Sequence, residues 1–264
     1  MKTIRTIDAM HATLTTGGSV GLVPTMGALH DGHLSLFRAA RAENDTVVAS
    51  LFVNPAQFSD EADLGAYPRD EARDAGLAAE AGVDVLFAPS LEEMYPAGFQ
   101  TWVDVEEVAA GLEGDARPGH FRAVATVCLK LFNIVRPSRA YFGQKDAQQA
   151  AVIRRLVRDL DLPLDIRVLP TVRDADGLAL SSRNARLSPE EREQALSLPR
   201  ALASGAETYR LGGDAVAAAV AELNGLTPDY VELLDLDGTL VLAGAARVGS
   251  IRLIDNVLLE GELR

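Results

Sequence analysis

Two histidines three residues apart, His30 and His33, stand in the run Pro24-Thr25-Met26-Gly27-Ala28-Leu29-His30-Asp31-Gly32-His33. On one helical turn that spacing puts both imidazoles on the same side. The β-branched run before Pro24 reads as a strand, and Leu34, Leu36, Phe37 and Ala40 recur at helical spacing after the glycines. A strand, a glycine-containing turn and a helix aim backbone N–H groups and the helix dipole at an anion. Two side chains able to carry positive charge complete a setting suited to a polyphosphate. Zinc is the competing chemistry for a histidine pair. It needs three or four ligands, and with only four histidines and one cysteine in the chain it would have to recruit carboxylates.

Further polar clusters follow other strand-like runs. They are Asn54-Pro55-Ala56-Gln57-Phe58, Gly143-Gln144-Lys145-Asp146, Thr171-Val172-Arg173 and Leu180-Ser181-Ser182-Arg183-Asn184. Only three of the 25 lysines and arginines are lysine, at positions 2, 130 and 145, which makes Lys145 a less casual choice than a lysine usually is. Lys145 and Gln149 are four apart, so a helix through both would put them on one face.

The elements that must position these groups alternate. Strands are expected at Val20–Pro24, Thr46–Val53, Val83–Phe87, Ala140–Gly143 and Leu164–Leu169. Helices are expected at Ile7–Leu14, after His33, at Asp70–Ala81, His120–Val135 and Asp146–Leu160. That order predicts an α/β fold: a Rossmann-like parallel sheet with helices on both faces over residues 1–176. Ligands of such sheets bind at the C-terminal strand ends, where the polar clusters lie. The pattern changes near Asp176-Gly177. Ser188 and Glu191 form a capping box, helices are expected over 189–210 and 213–224, and strands at Tyr230–Leu234, Thr239–Leu242 and Ile251–Ile254. This predicts a smaller C-terminal α+β domain, 177–264, covering the active site.

The chain has 264 residues, 48% hydrophobic and 24% charged, with a formal net charge of −13. An acidic surface disfavours nucleic acid as a partner. One cysteine, Cys128, fits a reducing compartment. With no apolar core in Met1–Arg5 and no long uncharged span, no membrane association and a cytoplasmic location are expected.

The motifs together resemble the pantothenate synthetase (pantoate–β-alanine ligase) family over essentially the whole chain. The resemblance rests on Pro24–His33, Phe52–Phe58, Tyr67-Pro68-Arg69, Met94-Tyr95-Pro96, Arg117–Arg122, Tyr141–Asp146 and Asp176–Asn184. His30-Asp31-Gly32-His33 resembles the His-x-Gly-His signature of the wider adenylyl-transferring superfamily. The resemblance implies ATP-dependent condensation of pantoate with β-alanine through a pantoyl-adenylate, with His30, His33 and Lys145 catalytic. It places ATP against Met26, Gly27, Ala28, Leu29, His30, Asp31, Gly32 and His33, against Gly143, Gln144, Lys145 and Asp146, and against Val172, Leu180, Ser181, Ser182 and Arg183. It places pantoate at Gln57 and Gln149, and β-alanine at Gln57. It further implies Mg²⁺ with the ATP, small-molecule partners and a homodimer. Asp146 and Asp74 are the carboxylates considered for water-mediated contact with that cation, and neither is taken as a ligand. The chain departs from the family pattern at Gln144, where glutamate is expected, and at Leu180, where methionine is usual.

Overall fold

The computed structural model describes residues 1–14, 17–58 and 61–263; residue 264, the expected end of the second domain, lies outside them. Two compact units divide the chain, Met1–Phe142 with Val152–Leu169, and Gly143–Ala151 with Pro170–Arg264. The boundary read from the sequence at 176/177 falls inside the second unit.

The first unit opens with strand β1 (Lys2–Ile4) and helix α1 (Ile7–Thr13), whose cap Thr6 accepts from the Ala9 amide. It continues with β2 (Val20–Thr25), α2 (Asp31–Glu43), β3 (Thr46–Leu51), the short α3 (Glu61–Ala66), α4 (Glu71–Glu80) and β4 (Val85–Phe87). Short helices α5 (Leu91–Met94) and α6 (Leu112–Ala116) lead to α7 (His120–Val135), then β5 (Arg139–Gly143), α8 (Ala147–Asp159) and β6 (Asp165–Leu169).

The sheet order is β1-β4-β3-β2-β5-β6. The pairs β1–β4, β4–β3, β3–β2 and β2–β5 run parallel. Successive strand residues go to opposite faces. Leu22, Val48, Val85, Phe87, Ala140 and Phe142 pack with α1, α7 and α8. Their neighbours Val23, Val47, Ala49, Leu86 and Tyr141 pack with α2 and α4. Burial on both faces explains why these strands read as continuous apolar runs. The expected parallel sheet with helices on both faces is present. It has one strand more than the sequence predicted, because β1 has three residues of which only Ile4 is buried, too little to carry a pattern.

In this order β2 leads through β3 and β4 to one edge, and β5 leads to the other. The switch point, where open α/β sheets bind ligands, therefore lies between β2 and β5. The two strands pair only at Gly21↔Arg139 and Leu22↔Ala140. Beyond that register comes Pro24, which has no N–H to donate.

The second unit carries α9 (Pro189–Ala195), α10 (Ser197–Arg210), α11 (Ala215–Glu222) and an antiparallel sheet of β7 (Thr227–Asp235), β8 (Leu240–Val248) and β9 (Ile251–Glu260). Ser188 and Glu191 form the expected capping box. The single helix expected over 189–210 is instead two, broken at Leu196. Pro199 supplies the reason: it has no N–H for the Ala195 carbonyl, so the ladder cannot run through. The strands are longer than the sequence suggested, because the run Ala243-Gly244-Ala245-Ala246 in β8 lacks the bulky residues that mark a strand.

Gly205 lies where α10 meets α11. A Cβ there would stand 2.7 Å from the Ala215 carbonyl oxygen and 2.5 Å from Leu242 Cδ2. Alanine gains about 1 kcal/mol of helix propensity over glycine, whereas overpacking costs about 1–3 kcal/mol. Because the obstacles include backbone, the overpacking wins. Gly205→Ala is expected to lower the midpoint of thermal unfolding measured by circular dichroism.

Candidate functional site

The turn between β2 and α2 is built by its surroundings. Gly27 has φ +88° and Ala28 has φ +52°, both in the left-handed region. A side chain at Gly27 would meet Leu51 Cδ1 at 2.8 Å and Asp74 Oδ2 at 2.9 Å, so glycine is required on two grounds. Asp74, on α4 and 1% exposed, accepts from the Ala28 amide at 2.8 Å and the Leu29 amide at 2.9 Å, one on each carboxylate oxygen. Arg73 Nη2 donates to the Leu29 carbonyl at 3.1 Å, and Tyr67 Oη donates to the Gly27 carbonyl at 3.3 Å. Thr25 Oγ1 accepts from the Gly27 amide at 3.3 Å while donating to the Ser50 carbonyl at 2.6 Å, tying the turn to β3.

His30 is the N-cap of α2. Its Nδ1 accepts from the Gly32 amide at 3.2 Å, and His33 Nδ1 accepts from the His30 amide at 3.4 Å. The rings stand 4.2 Å apart, centroid to centroid. Nδ1 can accept only when it carries no proton, so in this arrangement both rings are the neutral tautomer with hydrogen on Nε2. The sequence suggested open backbone N–H groups. In the structure Ala28, Leu29, His30 and Gly32 already commit their amides to Asp74 and to the rings. The imidazoles take over the helix end as a reciprocal cap.

The remaining expected residues of this turn divide by exposure. Leu29 is 2% exposed with its side chain in the core, so it serves the turn through its backbone. Asp31 is exposed in the first turn of α2, where a carboxylate suits the dipole, and Met26 and Gly32 are half-buried.

After β3, Asn54 caps a one-turn 3₁₀ helix, Pro55–Gln57, accepting from the Ala56 amide at 3.2 Å. Gln57 is 9% exposed. Its carbonyl accepts from Arg117 Nη2 at 3.1 Å and from His120 Nδ1 at 3.0 Å. Because a carbonyl only accepts, His120 bears its proton on Nδ1, and its Nε2 accepts from Arg117 Nη1 at 3.0 Å. Arg117 and His120 stand in one of the motifs of the family resemblance, which does not give them this supporting part. Sixty residues of intervening chain hide it.

The second unit holds the other expected residues. Gln144–Asp146 is a 3₁₀ turn capped by Gly143 and running into α8. Lys145 therefore lies in the turn before the helix that carries Gln149. Its side chain is 20% exposed, with Nζ 3.5 Å from Asp146 Oδ1. Val172 and Leu180 are brought together directly. The Leu180 amide donates to the Val172 carbonyl at 3.0 Å, across a hairpin pinned by the Arg173↔Ala179 bridge. Arg192 closes that hairpin, with Nε on Asp176 at 2.8 Å and Nη2 on Asp174 at 2.6 Å, and its hydrogen bond holds the Asp176 carboxyl below the usual range. Ser181 caps the 3₁₀ turn Ser182–Arg186 by accepting from the Arg183 amide at 3.3 Å. Gln144 Nε2 donates to Asn256 Oδ1 at 3.2 Å, which gives the amide at this position a partner.

Among the described residues, no three His, Cys, Asp or Glu side chains gather as a metal site, and no helix is long and apolar enough to cross a membrane. Asp74 uses both oxygens on backbone amides and does not fit a cation. Asp146 has a side chain 46% exposed and lies 3.5 Å from the Lys145 ammonium.

Comparison with known proteins gives a consistent picture. A family profile described as pantoate-beta-alanine ligase matches residues 1–258. A pantothenate synthetase of Moorella thermoacetica is 54% identical, with 98% of this chain and 99% of that protein covered. The crystal structure of pantothenate synthetase from Thermus thermophilus superposes with a TM-score of 0.94 at 48% identity, covering 99% of this chain and 100% of that one. The pantoate-beta-alanine ligase from Francisella tularensis, solved with beta-gamma ATP and beta-alanine, gives a TM-score of 0.86 at 37% identity, each chain covered in full. With turn, histidine cap and sheet order all in place, the chain belongs to the pantoate–β-alanine ligase family.

Proposed function

We propose that this protein condenses (R)-pantoate with β-alanine, driven by ATP, giving pantothenate, AMP and pyrophosphate through a pantoyl-adenylate. The reading is carried by the His30–His33 cap, two Nε2–H donors locked at a helix N-terminus, in a chain of this family. A pantoate carboxylate oxygen attacks the α-phosphorus of ATP, and the bond to pyrophosphate breaks. The amine of β-alanine then attacks the acyl carbon, the C–N bond forms, AMP leaves and the amine loses a proton.

The roles are those the family resemblance implies, and local chemistry supports several of them. His30 and His33 meet charge as it develops on phosphate oxygens. Such preorganised donors are often the largest catalytic contribution, because they need no reorganisation during the reaction. Lys145 supplies a compact cation that can follow an oxygen as phosphorus becomes five-coordinate. Gly143, Gln144, Asp146, Val172, Leu180, Ser181, Ser182 and Arg183 complete the nucleotide contacts. Gln57 and Gln149 hold pantoate, and Gln57 also serves β-alanine. Uncharged amides donate hydrogen bonds to the attacking carboxylate without quenching it as an ion pair would. Mg²⁺ bound with the triphosphate would neutralise phosphate charge. Asp146 is the carboxylate that would face such an ion through water, since Mg²⁺ usually keeps phosphate and water ligands. We place the protein in the cytoplasm as a homodimer, by analogy with its family.

Three measurements test this reading. ATP and pantoate without β-alanine are expected to support exchange of labelled pyrophosphate into ATP. Strict dependence of that exchange on β-alanine would count against a free-standing adenylate.

His33→Ala is expected to slow adenylate formation about 10²-fold or more in single-turnover experiments, with a smaller change in ATP affinity. Wild-type turnover in this variant would remove His33 from the mechanism.

Lys145→Arg keeps the charge but replaces a point by a planar fork that grips two oxygens of ground-state phosphate. It is expected to keep much of the ATP affinity while losing most of the adenylation rate. If it forms adenylate as fast as wild type, Lys145 contributes charge alone.

A further inference from the structure

Strand β9 carries two adjacent buried polar residues, Asp255 and Asn256, each 3% exposed. Asn256 Nδ2 donates to the Gln144 carbonyl and to the Lys145 carbonyl, both at 2.9 Å. Its Oδ1 accepts from Gln144 Nε2 at 3.2 Å. Both amide hydrogens and the amide oxygen are therefore used on the one turn that holds Lys145. Asp255 grips Arg173 through two bonds, 2.6 Å to Nη1 and 3.0 Å to Nη2, and its Oδ1 also accepts from the Asn256 amide at 2.8 Å. Two neighbouring residues of β9 thus fasten the Lys145 turn and the residue that follows Val172.

We infer that Asn256 is a positioning residue for the adenylation step, setting where the Lys145 ammonium stands by fixing the backbone of its turn. The inference rests on the reading of Lys145 above. The chemistry singles out an asparagine. A buried amide offers two donors and one acceptor, and this turn presents two acceptors and one donor. An aspartate of the same shape would set a carboxylate oxygen against two carbonyl oxygens, with nothing to donate to them. Such a turn relaxes, and a misplacement of about 1 Å at a reacting group is enough to cost about 10²-fold in rate. The pairing also accounts for Gln144. Its side chain is engaged inside the protein, on Asn256, and the position needs no charge to do so.

The test is a double-mutant cycle on the full-length protein, read as the single-turnover rate of pantoyl-adenylate formation with ATP affinity and thermal unfolding measured alongside. Asn256→Asp is expected to slow adenylation about 10²-fold with little change in ATP affinity. In the Lys145→Ala background the same substitution is expected to change the rate by less than about 3-fold, because the group it positions is gone. Asn256→Ser, which retains one donor and adds no charge, is expected to fall between wild type and Asn256→Asp. It is read through the same cycle if the aspartate variant does not fold. Equal slowing of wild type and Lys145→Ala would overturn the inference, since Asn256 would then act on the fold at large. So would an Asn256→Asp variant as fast as wild type. A Lys145→Ala variant with unimpaired adenylation would instead strike down the role of Lys145, and the inference with it.

Discussion

The buried carboxylate of Asp74 is the contact on which the histidine turn depends. Ala28 sits in the left-handed region without being glycine, at a cost of about 1–2 kcal/mol. The amides of Ala28 and Leu29 point inward, and each would cost about 1–3 kcal/mol if left unpaired in the interior. One carboxylate meets both, with charge-assisted bonds at 2.8 and 2.9 Å. On a total stability of order 5–15 kcal/mol, these are large amounts concentrated in three residues. The arrangement sets where the chain leaves the turn, and hence where His30 enters as the cap of α2.

From that cap the electrostatics of the site follow. A helix N-terminus ordinarily offers its backbone amides to an anion. Here the imidazoles accept two of those amides themselves. This fixes both tautomers, since a proton on either Nδ1 would break the bond that holds the ring. Gln57 is treated similarly: Arg117 and His120 converge on its backbone carbonyl, so the residue is located by its backbone.

The second unit uses the same device. The hairpin that joins Val172 to Leu180 is closed by Arg192 on two aspartates, and the turn that holds Lys145 is closed by one asparagine. In both units the residues expected to meet the nucleotide are held by polar side chains distant in sequence. Those side chains are buried or half-buried, so water competes weakly and each bond counts for more.

The parallel sheet, the helices on its faces, the histidine turn, the capping box at Ser188 and one family's motifs were all legible in the order of residues. These are local properties. Apolar runs buried on two faces, helical spacing and glycine where φ is positive all act over a few residues, and therefore show in a few residues of text. How those residues are held depends on contacts made across the folded chain. Asp74 lies more than forty positions from the amides it accepts, Arg117 and His120 about sixty from Gln57, and Asn256 more than a hundred from Lys145. No periodicity links such pairs, so each reads in the sequence as an ordinary polar residue. The protonation pattern of the histidines was hidden for the same reason. It depends on which backbone amides remain open, and that is settled only once the turn has closed around Asp74.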